Sequence, residues 1–326
     1  MINNIEVIAR SALNPEMDCV FEIKCEGLKI LNVVDSWLDP LTYQFLVHES
    51  PWDLILWPFQ ILREAEVLSP KLCRENPEAW PQEWIEQLKM LNPRCLIPSS
   101  CQFRHEDWSW YNKSLFSVSY ADFFQIVENH FPKTQALKLN PGQSLVIEKN
   151  NFSLGPALDW IQYKNFEDSD YFWDKDFTIL NQNEISKKFP GLSILEKEVI
   201  QNFLELEIIP IFFEIGPSNA LFFNVRRFWK LSVFDSQGFE IVYSYIIDEN
   251  QLIRTHTIEN SPYWHTQISE FKLYCALRRG EPITSLYIQV REHFNEDVLE
   301  DPLIRILSAR DPLKYQKYQL LNVNNL

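Results

Sequence analysis

The chain has 326 residues, 45 acidic against 30 basic side chains and a formal net charge of −15, the size of two domains with a buried core. A chain of this charge is repelled by phosphate backbones and anionic membrane surfaces, which argues against nucleic-acid binding. Its seven glycines, at 27, 142, 155, 191, 216, 238 and 280, stand too far apart to write G-x-G-x-x-G, G-x-x-x-x-G-K-[ST] or G-x-S-x-G, so local phosphate cradles and the nucleophile elbow are excluded.

From Cys19 to about Ile147 short apolar runs alternate with helical periods: strands at Val20–Ile23, Leu28–Val34, Leu54–Trp57 and Leu96–Pro98, and a helix at Ala79–Leu91. This order predicts an α/β domain. In the helix Trp80, Trp84, Leu88 and Leu91 fall on one apolar stripe, with Pro81 in the first turn. A second helix is expected over Tyr120–His130, with Ser119 as N-cap and Pro132 beyond its end. A strand at Ser144–Glu148 follows the Asn140-Pro141-Gly142 turn. Residues 150–193 mix aromatic and acidic side chains and read as a connector. The rest reads as α+β: a helix at Ile194–Glu205, then strands at Ile208–Phe213, Ala220–Val225, Lys230–Phe234 and Glu240–Ile247, with a turn at Asp235–Gly238. Then come a helix over Gln267–Arg279 closed by Gly280, a strand at Ser285–Val290 and a helix over Glu296–Ala309. The expected domains are 1–149, a connector at 150–193, and 194–326.

Six cysteines without C-x-x-C and six scattered histidines without H-E-x-x-H point to reduced thiols and to no locally encoded metal site. No charged segment followed by a long apolar one opens the chain, and no apolar run approaches the ~20 residues needed to cross a bilayer. A cytoplasmic location is the expectation. The densest polar and aromatic cluster is Cys101–Asn112, after a strand end where α/β folds place their sites. Trp108, Trp110 and Tyr111 are candidates for an apolar substrate wall and His105 for a polar contact in it; Cys101 with His105 would form a nucleophile pair if they faced one another.

Four segments, Glu26–Ser36, Asp53–Phe59, Leu91–Ser99 and Leu139–Leu145, together resemble the carboxy-terminal half of a metallo-β-lactamase fold domain. The resemblance covers about residues 18–148 and lies nearest the branch of predicted metal-dependent hydrolases and the CMP-sialic acid hydroxylase lineage. It implies half of an αββα sandwich, hydrolase ancestry, a zinc or iron centre and Asp35 as a metal ligand. The family's H-x-H-x-D-H motif has no counterpart, and position 100, where related hydrolases carry a histidine, is Ser100. One carboxylate does not hold a metal pair. The expectation is therefore a chain inactive alone, binding zinc or iron only when another chain supplies the missing half. Half a sandwich also leaves an apolar sheet face for a partner protein or a second copy to cover. The second part resembles sterol-carrier-like domains in Phe228–Phe234, Phe239–Ile247, Leu277–Gly280 and Thr284–Val290, which implies an apolar small-molecule ligand. The alternative to the hydrolase is thus a non-catalytic apolar-ligand-binding or interaction protein.

Overall fold

The computed structural model describes residues 4–15, 18–33, 35–99, 102–140, 142–148, 151–161, 170–215, 226–248, 251–256, 262–291 and 297–309. It is a mixed α/β structure in two compact units, both discontinuous in sequence. Unit 1 comprises Met1–Leu62, Asn76–Glu106 and Phe116–Asp174; unit 2 comprises Arg63–Glu75, Asp107–Leu115 and Lys175–Leu326.

Unit 1 contains β1 (Ile5–Ser11), β2 (Cys19–Cys25), β3 (Leu28–Asn32), α1 (Pro40–His48), β4 (Trp52–Pro58), α2 (Gln82–Leu91), β5 (Pro93–Ser99), α3 (Tyr120–His130) and β6 (Gln135–Ala136), followed by a hairpin of β7 (Gln143–Glu148) and β8 (Asn151–Ala157). Its six-stranded sheet runs in the order β1-β2-β3-β4-β5-β6. The first three strands are antiparallel and the last four parallel. Between β2 and β3 the turn residues Glu26 and Gly27 both have positive φ, 50° and 82°, the backbone that matches strand twist in a two-residue hairpin. The side chains of α1, α2 and α3 bury Leu46, Trp84, Leu88, Leu91, Phe123 and Val127 in one cluster with Leu31, Ile55, Trp57 and Leu96 of the strands. In a second cluster Phe152, Leu145 and Ile147 of the β7–β8 hairpin pack with Leu54, Cys95 and Ile97. Alternation along the strands places those two clusters on opposite faces of the sheet.

Most of the elements expected here form. α3 starts at Tyr120 behind a capping box of Ser119 and Asp122; α2 starts at Gln82, with Pro81 as its N-cap rather than inside its first turn. Four elements were not expected: edge strand β1, the short β6, β8 within the stretch read as a connector, and α1, opened by Asp39, whose side chain accepts from the Thr42 N–H, and by Pro40.

Unit 2 holds α4 (Gln182–Ser186), α5 (Ile194–Asn202), a π-helical turn at Phe203–Glu207, α6 (Ile208–Ile215), β9 (Arg227–Phe234), β10 (Glu240–Asp248), β11 (Gln251–Thr255), β12 (Trp264–Ser269), α7 (Glu270–Arg279), β13 (Gln289–Val290) and α8 (Pro302–Ser308). Its sheet order is β11-β10-β9-β12-β13, with β12 parallel to β9 and the other neighbours antiparallel. One face carries Trp229, Leu231, Val233, Tyr245, Trp264 and Ile268, packed in a single cluster with Phe203, Ile208, Phe212, Leu273, Leu303 and Ile306 of the helices.

The strand expected at Ile208–Phe213 is a helix. An apolar run reads equally as strand or buried helix, and here Ile200, Leu204, Ile208 and Phe212 are buried at helical spacing. Pro210 would clash with the carbonyl of residue 206 in a regular helix; the π-helical turn ending at Glu207 widens the backbone at that point. The helix expected from Gln267 starts three residues later, behind strand β12, and ends at Gly280 as expected. The strand expected over Ser285–Val290 shrinks to Gln289–Val290, and the last helix to Pro302–Ser308. The strand expected at Ala220–Val225 lies outside the described residues. At the β9–β10 turn Gly238 has φ 84°, and a Cβ there would stand 2.8 Å from the Asn183 carbonyl oxygen, so glycine is required twice over.

Candidate functional site

The Cys101–Asn112 segment is shared between the units. His105 belongs to unit 1, where its ring lies 5.2 Å from that of Phe103; Cys101 lies outside the described residues. Trp108, Trp110 and Tyr111 belong to unit 2 and converge on Tyr287, at ring distances of 4.7, 6.0 and 5.2 Å. Trp110 and Tyr111 are buried, and the Trp110 indole N–H donates to the Val67 carbonyl at 3.0 Å. These two anchor the segment in the fold, and only Trp108 of the three keeps partial exposure.

Asp35 sits in an exposed turn beyond the carboxyl end of β3. That turn is set by the Val33 N–H donating to Leu56 of β4 at 3.0 Å and the Ser36 N–H donating to Val33 at 3.1 Å. Among the described residues no group of three or more His, Cys, Asp or Glu side chains is placed to hold a metal ion. The described surroundings of Asp35 therefore do not make up the donor set that zinc or iron needs, and Ser100 lies outside them. The buried thiols of Cys73, Cys95 and Cys275 are pushed up by burial, to about 11, 12 and 11, so at neutral pH they are thiols rather than nucleophilic thiolates.

A polar cluster that the sequence reading missed lies on the sheet face of unit 2 opposite the core. Lys230 and Ser232 alternate with core residues Leu231 and Val233 on β9, and the register sets Lys230 beside His265 of β12. The Ser232 hydroxyl donates to Glu240 and lies 3.0 Å from His265 Nε2. Lys230 pairs with Glu240 at 3.2 Å. Burial, then the positive charge of Lys230, drives the His265 imidazole down to about 4, so it is neutral at pH 7. With the serine proton given to the carboxylate, Oγ accepts from the imidazole N–H, and the chain of donors and acceptors is closed. Ser232 is fully buried, so the cluster presents no nucleophile. The alternation of Lys230 and Ser232 was the available signal; the partners of Ser232 lie 8 and 33 residues away.

Unit 1 has a groove of about 570 Å³ where α1 faces α2. Leu38, Pro40, Tyr43 and Met90 give it apolar lining, and Glu83, Glu86 and Lys89 give it charge. Helical spacing explains the arrangement: α2 turns Trp84, Ile85, Leu88 and Leu91 into the core, which leaves Glu83, Glu86 and Met90 on the other side. Burial, and then the charges of Glu83 and Glu86, push the Tyr43 phenol up. Beside it Trp37 is 48% exposed and packs against Trp84 with ring centroids 4.6 Å apart and the rings tilted by 47°.

Among the described residues no helix is long and apolar enough to cross a membrane. No protein-family model matches the chain, and no curated protein does. Among solved structures the chain is similar to a Thermotoga maritima protein assigned as a zinc-dependent hydrolase of the metallo-β-lactamase superfamily, with a TM-score of 0.26 and 14% identity. The match covers 42% of this chain and spans 65% of the length of that one.

Proposed function

We propose that this chain is a binding and interaction protein whose unit 1 receives a basic segment carrying apolar side chains in the groove between α1 and α2. The observation that carries the reading is the combination of apolar lining with the carboxylates of Glu83 and Glu86 in one groove. Positive charge gains from Glu83 and Glu86 and from the net charge of −15, while Leu38, Tyr43 and Met90 offer area for aliphatic or aromatic side chains. The test uses an amphipathic peptide of alternating Leu-Leu and Lys-Lys pairs and its Glu-for-Lys counterpart, read by Trp fluorescence and by anisotropy. The basic peptide is expected to bind with a salt-sensitive constant, and Glu83→Lys with Glu86→Lys to weaken it at least about tenfold. Equal binding of both peptides, or no effect of the double variant, would sink the reading.

The position of Asp35 favours a second reading, since ligands of open α/β sheets gather outside the carboxyl ends of parallel strands. In this reading Asp35 is one ligand of a hydrolytic zinc or iron centre, and the remaining donors come from residues outside those described or from a second chain. Metal would then supply an activated water at that edge. Equilibrium dialysis against Zn²⁺ and Fe²⁺, with elemental analysis, tests it. Stoichiometric uptake that Asp35→Ala abolishes supports a centre there, and uptake indifferent to the substitution removes Asp35 from it.

A further inference from the structure

We infer that unit 1 pairs with a second copy of this chain through β1, antiparallel about a two-fold axis at Ile8. β1 is the outer strand of the six-stranded sheet, and among the described residues its free edge carries no partner strand. It carries no proline, lysine or bulge: seven residues, Ile-Glu-Val-Ile-Ala-Arg-Ser, in unbroken register with β2 from Ile5 to Ser11, and its two charges, Glu6 and Arg10, are of opposite sign, so they suit a paired copy rather than repel it. A strand of this length leaves alternate N–H and C=O groups pointing outward, which an antiparallel copy would satisfy.

The occupant and the register follow from charge placement. Glu6 and Arg10 stand two residues to either side of Ile8, so two-fold pairing there sets each Glu6 opposite the other copy's Arg10, twice. Val7 then faces the other copy's Ala9 on the opposite surface, where Val7 is 59% exposed. Arg10 can take a second partner: its Nε and Nη2 reach Glu22 at 3.2 and 2.8 Å, which leaves Nη1 for a carboxylate across the edge. The neighbouring segment, where Leu13 donates to Trp37 at 2.8 Å and Ala12 bridges to Leu38, lies beyond the paired register. Shifting the register by two residues would lose both charge pairs. Pairing is isologous and consumes β1, and the opposite edge, β6, has only two residues, so assembly closes at a dimer. This inference is independent of the groove, since it uses a different surface.

Sedimentation equilibrium of the full chain from about 1 to about 100 µM is the primary measurement, and a concentration-dependent dimer is expected. Glu6 is exposed, so Glu6→Arg tests the edge without touching the core; it sets Arg against Arg and should raise the dimer dissociation constant at least tenfold. Glu128→Arg, on the exposed face of α3 and away from the edge, should leave it unchanged. Ile8→Cys places two thiols across the axis and should form an intermolecular disulfide under mild oxidation, whereas Glu6→Cys, opposite an arginine, should not. A monomer throughout the range, a dimer indifferent to Glu6→Arg, or equal crosslinking from both cysteines would overturn the inference.

Discussion

Replacing Arg63 by methionine should cost unit 2 about 3–5 kcal/mol of stability, the range for leaving buried partners of a charge unpaired. Arg63 is 4% exposed. Its Nη1 donates to the carbonyls of Cys73 and Ser114, each at 3.3 Å, and its Nη2 to those of Leu72 at 3.1 Å and Glu75 at 2.7 Å. Burial lowers its pKa, opposed by Glu66, yet a guanidinium stays protonated in a folded protein. One side chain thus ties together segments 63–75 and 107–115, both of unit 2. Methionine fills much of the volume and satisfies none of the four carbonyls; lysine brings the charge without the planar fork and should recover only part of the loss. Urea unfolding checks this, and a loss below about 1 kcal/mol would show that water or neighbouring donors replace the guanidinium.

Two buried groups of unit 2 should give its stability opposing pH dependences that nearly cancel. Asp301 is fully buried, and burial pushes its carboxyl up to about 7 against the hydrogen bonds from Thr266, Ile304 and Leu303. The folded chain therefore holds a proton that the unfolded chain releases near 4, and this contribution is lost as pH rises from about 4 to about 7. His265, driven down to about 4, works the other way: the unfolded imidazole takes up a proton near 6.5 that the folded one refuses, so stability is lost as pH falls from about 6.5 to about 4. Linkage puts Asp301 on the order of 3 kcal/mol, and His265, which is partly exposed and screened, nearer about 2. Wild type should stay within about 1 kcal/mol between pH 4 and 7 from these two groups.

Asp301→Asn keeps an acceptor for the N–H groups of Leu303 and Ile304, which reach the carboxylate at 3.0 and 3.2 Å, and has no charge to titrate. It should expose the histidine limb, with stability climbing as pH rises to about 6.5. His265→Gln should expose the other, with stability declining toward pH 7. Asp301→Ala, which strands those N–H groups and the Thr266 hydroxyl, should show the same histidine limb and lie about 3 kcal/mol below Asp301→Asn throughout. Thermal or urea unfolding of the four proteins across this range decides the matter; parallel profiles for wild type, Asp301→Asn and His265→Gln would refute the assignment.

Legibility varied with the range of the interaction. α3 could be read because Ser119, Asp122 and the apolar period of Tyr120, Phe123 and Val127 lie within three turns. β4 and β5 could be read because strands buried on both faces are continuous apolar runs. The Ile208–Phe213 run failed because period alone does not separate a buried strand from a buried helix, and the deciding event, a π-helical turn before Pro210, is a backbone adjustment. α1 had a legible start in Asp39 and Pro40 that went unused.

The aromatic wall of Trp108, Trp110 and Tyr111 was legible as a cluster, but not that two of its members would be buried around Tyr287, nor that His105 belongs to the other unit. The sequence by itself determined the mixed α/β class, the capped helices, the glycine turns and the net acidity, because each rests on neighbours a few residues apart. Only the tertiary structure decided which segments share a unit, that Arg63 gathers four carbonyls, that Ser232, Glu240 and His265 meet, and that Glu83 and Glu86 face Tyr43. Those contacts form between residues with no local signal for one another, and burial and register select them once the two cores have packed.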